Sequence, residues 1–84
     1  MLLCIAEKES GGHQFDEHGD PLWSKTDDVG YMQIHATWIP KAKKMGLDVV
    51  NSEADNIKFG IYLYDKYGPT QWSTYRACEA ADDV

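Results

Sequence analysis

Glu9 is the residue of this sequence that is best placed for chemistry, because it lies at the end of a short apolar segment. If residues 2–9 form a helix, Glu9 shares one stripe with Ile5 and Ala6, whereas Glu7 faces nearly the opposite way. Desolvation raises the pKa of a carboxyl group, so an acid on an apolar face can stay protonated near neutral pH and give its proton to a leaving oxygen. We therefore expect Glu9 to be a general acid. The alternative is a frayed helix end whose carboxylate reaches water.

The segments after this acid favour loops and short strands. A glycine pair at residues 11–12 ends the first helix, and the chain up to residue 35 is rich in Gly, Asp and His. A turn signal at residues 17–21 is flanked by apolar residues and predicts a small, irregular β-hairpin. A short extended segment is expected over residues 31–34, after Gly30.

Three further helices are expected in the second half of the chain. Thr37 predicts the N-cap of one helix, over residues 38–45, and Ser52 caps a longer one over residues 53–67. A last helix is expected over residues 70–80. The predicted fold class is therefore α+β, mostly α-helical, with about four helices and a small irregular β-hairpin.

Composition bounds the size and the partners of the chain. Its 84 residues suffice for one small domain, residues 1–84, and leave no room for a second. The net charge of −6 argues against nucleic acid, because phosphate binding needs clustered Lys and Arg. No stretch approaches the roughly 18 apolar residues that span a bilayer, so no membrane-spanning segment is expected. We expect a monomer without a metal or cofactor.

Cys4 and Cys78 lie near opposite ends of the chain. A disulfide between them would stabilise the domain by roughly 4 kcal/mol in the chain-entropy model. Such a bridge fits an extracytoplasmic location, in the periplasm, the cell wall or outside the cell, and a phage-associated origin is open. The alternative is two unpaired cysteines, one in the core and one at a loose end. The first residues lack the pattern of a secretion signal, so export would need a removed leader or another route.

Four segments carry motifs in a characteristic order. Residues 6–10 are a helix-compatible run ending in Glu-Ser, residues 30–34 read Gly-Tyr-Met-Gln-Ile, and residues 56–63 place an Asn, a Gly and a Tyr-Leu pair at fixed spacing. Together they resemble the soluble lytic transglycosylase and goose-type lysozyme family, where the second motif is usually Gly-Leu-Met-Gln-Ile. The segment at 74–78 matches less well. Arg and Cys replace the family's usual Asn and Gly, so only Tyr75 carries over there.

The resemblance covers nearly the whole chain, although this chain is shorter than is usual in the family. It implies a lysozyme-like fold and cleavage of the β-1,4 bond between N-acetylmuramic acid and N-acetylglucosamine in peptidoglycan glycan strands. Glu9 would be general acid and then general base. In the transglycosylases the substrate's own N-acetyl group assists, and the muramic 6-hydroxyl attacks to give a 1,6-anhydro product. The expected function is therefore that of a lytic transglycosylase.

Further site residues follow from the same motifs. Gln33 and the backbone of Met32 are expected to hydrogen-bond the substrate's amide or ring hydroxyls. Tyr75 would hydrogen-bond Glu9 or the N-acetyl group. Ser10 would hold the Glu9 carboxylate or contact the muramic lactyl group. The alternative for each is an ordinary structural role.

Asp28 leaves a hydrolytic alternative open. It precedes Gly30 by two residues and could hold a water opposite Glu9, as a second carboxylate does in a hydrolytic muramidase. The other interpretation is that Asp27 and Asp28 simply form a solvated turn.

Two other classes of function compete with catalysis. A loop with two His and two Asp offers metal-ligand types but lacks a recognised ligand spacing; these residues are His13, Asp16, His18 and Asp20. A non-catalytic glycan-binding module is the second rival, because sugars stack on flat aromatic faces. Its candidate residues are Trp23, Trp38 and Trp72.

Overall fold

The computed structural model describes residues 2–72 and 77–78, which form a small, mostly helical α+β arrangement. Its helices are α1 (Leu2–Ser10), α2 (Ile39–Lys44) and α3 (Glu53–Tyr67), its strands are β1 (Asp28–Val29) and β2 (Ile34–His35), and two 3-10 turns cover Ala36–Trp38 and Pro69–Gln71. The α-helix expected over residues 70–80 was wrong at its start, because Pro69–Gln71 is a 3-10 turn. Ala77 and Cys78 are helical, and residues 73–76 and 79–80 lie outside the described residues.

Helix α3 is the central element, and its bounds agree with the prediction. The Ser52 hydroxyl accepts a hydrogen bond from the N–H of Asp55, and Gly68 ends the helix with a φ of 78°. The buried residues of the helix are Asn56, Phe59, Gly60 and Leu63. A Cβ at Gly60 would lie 2.6 Å from Cγ of Met32, so glycine is what lets the segment before β2 approach this helix.

Helix α1 packs on the core through the stripe predicted for it. Ile5 and Ala6 are buried, whereas Glu7 is exposed. The predicted bridge is confirmed, because Cys4 and Cys78 form a disulfide with their Cα atoms 5.7 Å apart. The bridge is compatible with an extracytoplasmic location.

The predicted hairpin is present as an irregular loop. Phe15 and Pro21 form an isolated antiparallel bridge, and the N–H of Leu22 donates to the carbonyl of Gln14. A second isolated bridge joins Trp23 to Val29. The loop therefore runs beside β1.

Strands β1 and β2 form a two-stranded antiparallel sheet in which Asp28 faces His35 and Val29 faces Ile34. The extended segment expected over residues 31–34 was largely wrong, because residues 31–33 form the turn between these strands. The turn needs positive φ angles at both ends, 82° at Gly30 and 50° at Gln33.

The N-cap expected at Thr37 was also wrong, because the N-cap of α2 is Trp38. The first helical turn there is the 3-10 turn before α2, and His35 caps it by accepting the N–H of Thr37 at Nδ1, at 3.2 Å. Pro40 lies in the first turn of α2, where its missing N–H has no partner to lose.

One apolar core joins these elements. Its buried hydrophobic residues are Ile5, Ala6, Val29, Met32, Ile34, Ala42, Val49, Phe59, Leu63, Trp72 and Cys78. Within the described ranges, no helix combines the length and the apolar character needed to cross a bilayer.

Candidate functional site

Glu9 lines a pocket of about 270 Å³, which we call the Glu9 cleft. The other residues that line it are Ser24, Thr26, Asp28, Gln33, Gln71 and Trp72. The cleft lies where the carboxyl end of α1, the start of β1 and the 3-10 turn at Pro69–Gln71 meet. Of the residues singled out from the sequence, it brings together Glu9, Asp28 and Gln33.

Glu9 occupies the last turn of α1 and is half-buried. It is in that position because Ile5 and Ala6, one helical turn earlier, anchor the apolar face in the core. The helix ends one residue later, at Ser10, so the carboxylate emerges at the edge of the core and at the rim of the cleft.

Asp28 is held at the cleft by hydroxyl groups. Its Oδ2 accepts hydrogen bonds from Thr26 Oγ1 at 2.5 Å and from Ser24 Oγ at 2.9 Å. The Ser24 hydroxyl also accepts the N–H of Asp28 at 3.0 Å, which fixes the backbone beside the side chain. Both side-chain bonds fall on Oδ2, so Oδ1 is the oxygen best placed to act on a water or a sugar.

Gln33 is buried with an unusual backbone conformation. Its φ of 50° is uncommon for a non-glycine residue, and such strain is concentrated at functional sites. The side-chain amide donates to the carbonyls of Gly30 at 2.9 Å and Leu22 at 3.2 Å. Because both amide protons are used, a bond from Gln33 to a sugar would come from its Oε1, as an acceptor.

Met32 is placed in the core and not among the residues lining the Glu9 cleft. Its N–H donates to Asn56 Oδ1 at 2.7 Å, and its carbonyl accepts from Trp72 Nε1 at 2.6 Å. The backbone that was expected to contact the substrate therefore supports the turn and Trp72.

Ser10 holds the end of α1. Its hydroxyl lies 2.6 Å from the carbonyl of Tyr31 and 3.0 Å from that of Ala6, and it accepts the N–H groups of Gly12 and His13. A hydroxyl has one proton and two lone pairs, so these bonds use its full capacity. This arrangement gives Ser10 a structural role in joining α1 to the turn before β2.

Tyr75, the remaining site residue expected from the sequence, lies outside the described residues. Ser24, Thr26 and Gln71 line the cleft and were not singled out from the sequence. The two hydroxyl residues had a detectable signal, because Ser and Thr just before an Asp favour local side-chain hydrogen bonds in turns.

A second pocket of about 290 Å³ adjoins the Glu9 cleft, and we call it the His35 pocket. The two share Asp28, Gln33, Gln71 and Trp72. The His35 pocket adds Ile34, His35, Thr37, Trp38 and Leu63. Two of the three tryptophans considered for sugar stacking therefore line this continuous groove, whereas Trp23 lines neither part.

The loop considered for metal binding has a structural explanation. Asp16 Oδ1 accepts the N–H groups of His18 and Asp20, at 2.8 and 3.0 Å, so this carboxylate closes the turn. In the part of the chain that the structure describes, no three His, Cys, Asp or Glu residues are grouped to hold a metal ion.

The groove thus combines two carboxylates, a buried amide and two tryptophans. Paired carboxylates can cleave a glycosidic bond, and a pocket with apolar walls and a few polar groups can bind a polar ligand. Comparison with known proteins finds no family model, no curated protein and no solved structure that matches this chain.

Proposed function

We propose that this protein cleaves the β-1,4 bond between N-acetylmuramic acid and N-acetylglucosamine in peptidoglycan. The observation that carries the proposal is that Glu9, at the end of α1, lines one cleft with Asp28 and Gln33. The order of the sequence motifs supports it, because they resemble those of the lytic transglycosylase and goose-type lysozyme family. A lysozyme-like fold and an extracytoplasmic location belong to the same proposal.

Glu9 acts first as a general acid. Its carboxyl group gives a proton to the glycosidic oxygen, the bond from this oxygen to the anomeric carbon breaks, and positive charge develops on the sugar ring. The half-buried position at the rim of the cleft suits this role, because the group reaches substrate while staying next to the core. Gln33 Oε1 positions the sugar by accepting one of its N–H or O–H groups.

The family resemblance favours completion of the reaction by transglycosylation, without water. The substrate's N-acetyl group stabilises the anomeric carbon, and Glu9, now a carboxylate, takes the proton of the muramic 6-hydroxyl as that oxygen bonds to the same carbon. No water is consumed, and the product carries a 1,6-anhydro ring. A single protein carboxylate suffices for both steps.

The position of Asp28 favours a second candidate, hydrolysis. Ser24 and Thr26 hold its Oδ2, which leaves Oδ1 to orient a water or stabilise the charged ring in the cleft it shares with Glu9. Water would then add to the anomeric carbon and give a reducing sugar end.

Digestion of purified peptidoglycan with product mass analysis tests the proposal. We expect soluble muropeptides, and a product lighter than a reducing muropeptide by the mass of one water identifies the anhydro ring. Only reducing ends would assign hydrolysis. Release of peptides without glycan cleavage would contradict both candidates.

A Glu9→Gln variant is the matched control, because it keeps the size and polarity of the side chain and removes the acid. We expect turnover to fall by about a hundredfold or more, since general acid catalysis contributes on that scale. An exposed acid on the opposite side of α1 provides the comparison, and Glu7→Gln should retain full turnover. Equal activity in the two variants would remove Glu9 from the mechanism.

A further inference from the structure

The ring of His35 is held in one tautomer. Its Nδ1 accepts the backbone N–H of Thr37 at 3.2 Å and lies 3.0 Å from the hydroxyl of the same residue. A backbone N–H can only donate, so Nδ1 carries no proton, and the neutral ring must carry its proton on Nε2. All hydrogen bonds of this ring to described residues fall on Nδ1, which leaves Nε2–H as a donor for another molecule.

This donor belongs to the groove that continues from the Glu9 cleft. His35 lines the His35 pocket and stands directly opposite Asp28 in the sheet. Cross-strand neighbours have Cβ atoms about 5 Å apart, so the donor and the carboxylate are within one sugar unit of each other. The pocket also has Trp38 in its wall, and this partly exposed ring offers an apolar face beside these polar groups.

The charge of Asp28 selects the kind of sugar that fits beside it. The free lactyl carboxylate of a muramic acid that lacks its stem peptide would meet like charge at this position. An N-acetylglucosamine unit has no charge, and its hydroxyl and acetamido oxygens accept hydrogen bonds.

We propose that His35 is a specificity-determining residue of the groove, whose Nε2–H donates a hydrogen bond to an uncharged N-acetylglucosamine unit next to the cleaved bond. This inference rests on the proposed function, because it places that unit on a glycan strand that also passes Glu9. Thr37 has the role of a positioning residue, since its backbone N–H fixes the tautomer.

Two substitutions at His35 separate the role of Nε2–H as a donor from the role of Nδ1 as the cap that accepts the Thr37 N–H. His35→Asn keeps an acceptor for the Thr37 N–H, because Asn is among the best N-caps, but it loses a donor at the position of Nε2. His35→Gln carries an N–H at about the reach of Nε2 and loses the cap. We expect His35→Asn to bind the sugar weakly and to keep its melting temperature. We expect His35→Gln to bind almost as well as the parent and to melt at a lower temperature.

The measurement is calorimetric titration with a β-1,4-linked oligomer of N-acetylglucosamine as the probe. All variants carry Glu9→Gln so that the probe is not cleaved. We expect His35→Asn to weaken binding by about threefold to tenfold, the effect of one neutral hydrogen bond. His18→Asn is the matched control, because His18 is exposed and lines neither part of the groove, and its affinity should equal that of the parent.

Three outcomes would overturn the inference: unaltered binding in His35→Asn, equal loss in the Asn and Gln variants, or no binding of the oligomer by the parent protein. The proposed function fails separately. If Glu9→Gln keeps full turnover of peptidoglycan, the catalytic assignment is wrong whatever the oligomer does. If Glu9→Gln is inactive and His35→Asn binds normally, only the role of His35 is wrong.

Discussion

Two polar clusters adjoin the turn between β1 and β2, and they use hydrogen bonds in opposite ways. The amide cluster is the pair Gln14 and Asn56, which are both almost completely buried. The cleft cluster is Glu9, Asp28 and Gln33, which line the Glu9 cleft. They are linked by residues 30–33, which contact the first cluster and present Gln33 to the second.

The amide cluster pairs every one of its groups with backbone. Gln14 accepts the N–H of Tyr31 at 2.8 Å and donates to the carbonyls of Val49 and Val50. Asn56 accepts from Met32 and donates to Val29 and Val49, at 2.7 to 2.9 Å. A buried amide costs free energy unless its partners are complete, so full pairing is what makes these residues stabilising.

The cleft cluster keeps capacity for an additional molecule. The hydroxyl bonds to Asp28 fall on one of its two oxygens, and those of Gln33 use only its nitrogen. Polar type and burial alone therefore do not mark a site. What separates the clusters is whether hydrogen-bonding atoms are left to face a pocket.

The largest effect expected in the amide cluster comes from Gly30→Ala. A Cβ there would lie within 2.6 Å of the Gln14 amide and closer still to that of Asn56, and the φ of 82° adds strain. We expect a loss of about 3 kcal/mol or more in the free energy of unfolding, measured by urea denaturation. Gly19→Ala is the control, because it has the same φ and no atom within 4 Å, and should lose only about 1 kcal/mol. Equal losses would mean that contact with the amide cluster is unimportant.

Asn56→Ala should have the next largest effect. It removes one acceptor and two donors and leaves the N–H of Met32 and the carbonyl of Val29 buried without this partner. We expect a loss of about 2 to 4 kcal/mol on denaturation. Asn51→Ala controls for the change of residue type, since that side chain is exposed and makes one 3.3 Å bond to Asp48. An unchanged free energy of unfolding in Asn56→Ala would mean that the hydrogen bonds of this amide do not stabilise the fold.

The smallest effect is expected at Asp48, which orders the turn that supplies carbonyls to the amide cluster. The backbone N–H of Asn51 holds the pKa of this carboxyl below its usual value of 3.8. A lowered pKa in the folded state means that the charged group stabilises the fold above pH 3.8, and that this contribution is lost as the pH falls through the lowered pKa. Asp48→Asn does not titrate, so the wild-type melting temperature should fall toward that of the variant in acid. Parallel pH curves would contradict the assignment.

Elements with strong local signals could be predicted from the sequence. Ser52 and Gly68 define both ends of α3 by capping alone, and the apolar stripe of α1 identifies its buried face. The 3-10 turn before α2 was missed because Thr is the commoner cap, whereas the cap in the structure is a histidine two residues earlier. The turn at residues 31–33 was missed because no propensity predicts a positive φ at Gln33.

The site, like the fold, could be predicted from the sequence only in part. Glu9 was singled out from its apolar stripe and its motif, Gln33 from its motif, and Asp28 from its place just before Gly30. The structure places all three around one pocket. Ser10 and Met32 belong to the same motifs, yet their hydrogen bonds support the backbone. A motif records which residues occur together and does not separate those that touch a ligand from those that hold them in place. His35 carried no motif signal, because its position depends on pairing across the sheet.

The disulfide makes most of this chain a closed ring. Since the bridge joins Cys4 to Cys78, a single cut in the backbone between them leaves the two fragments covalently joined. The exposed turn around Gly19 is a suitable place for new termini, because a side chain at that glycine would meet nothing within 4 Å. A protein cut there would carry Glu9 and Asp28 on separate polypeptides, which the disulfide would still join.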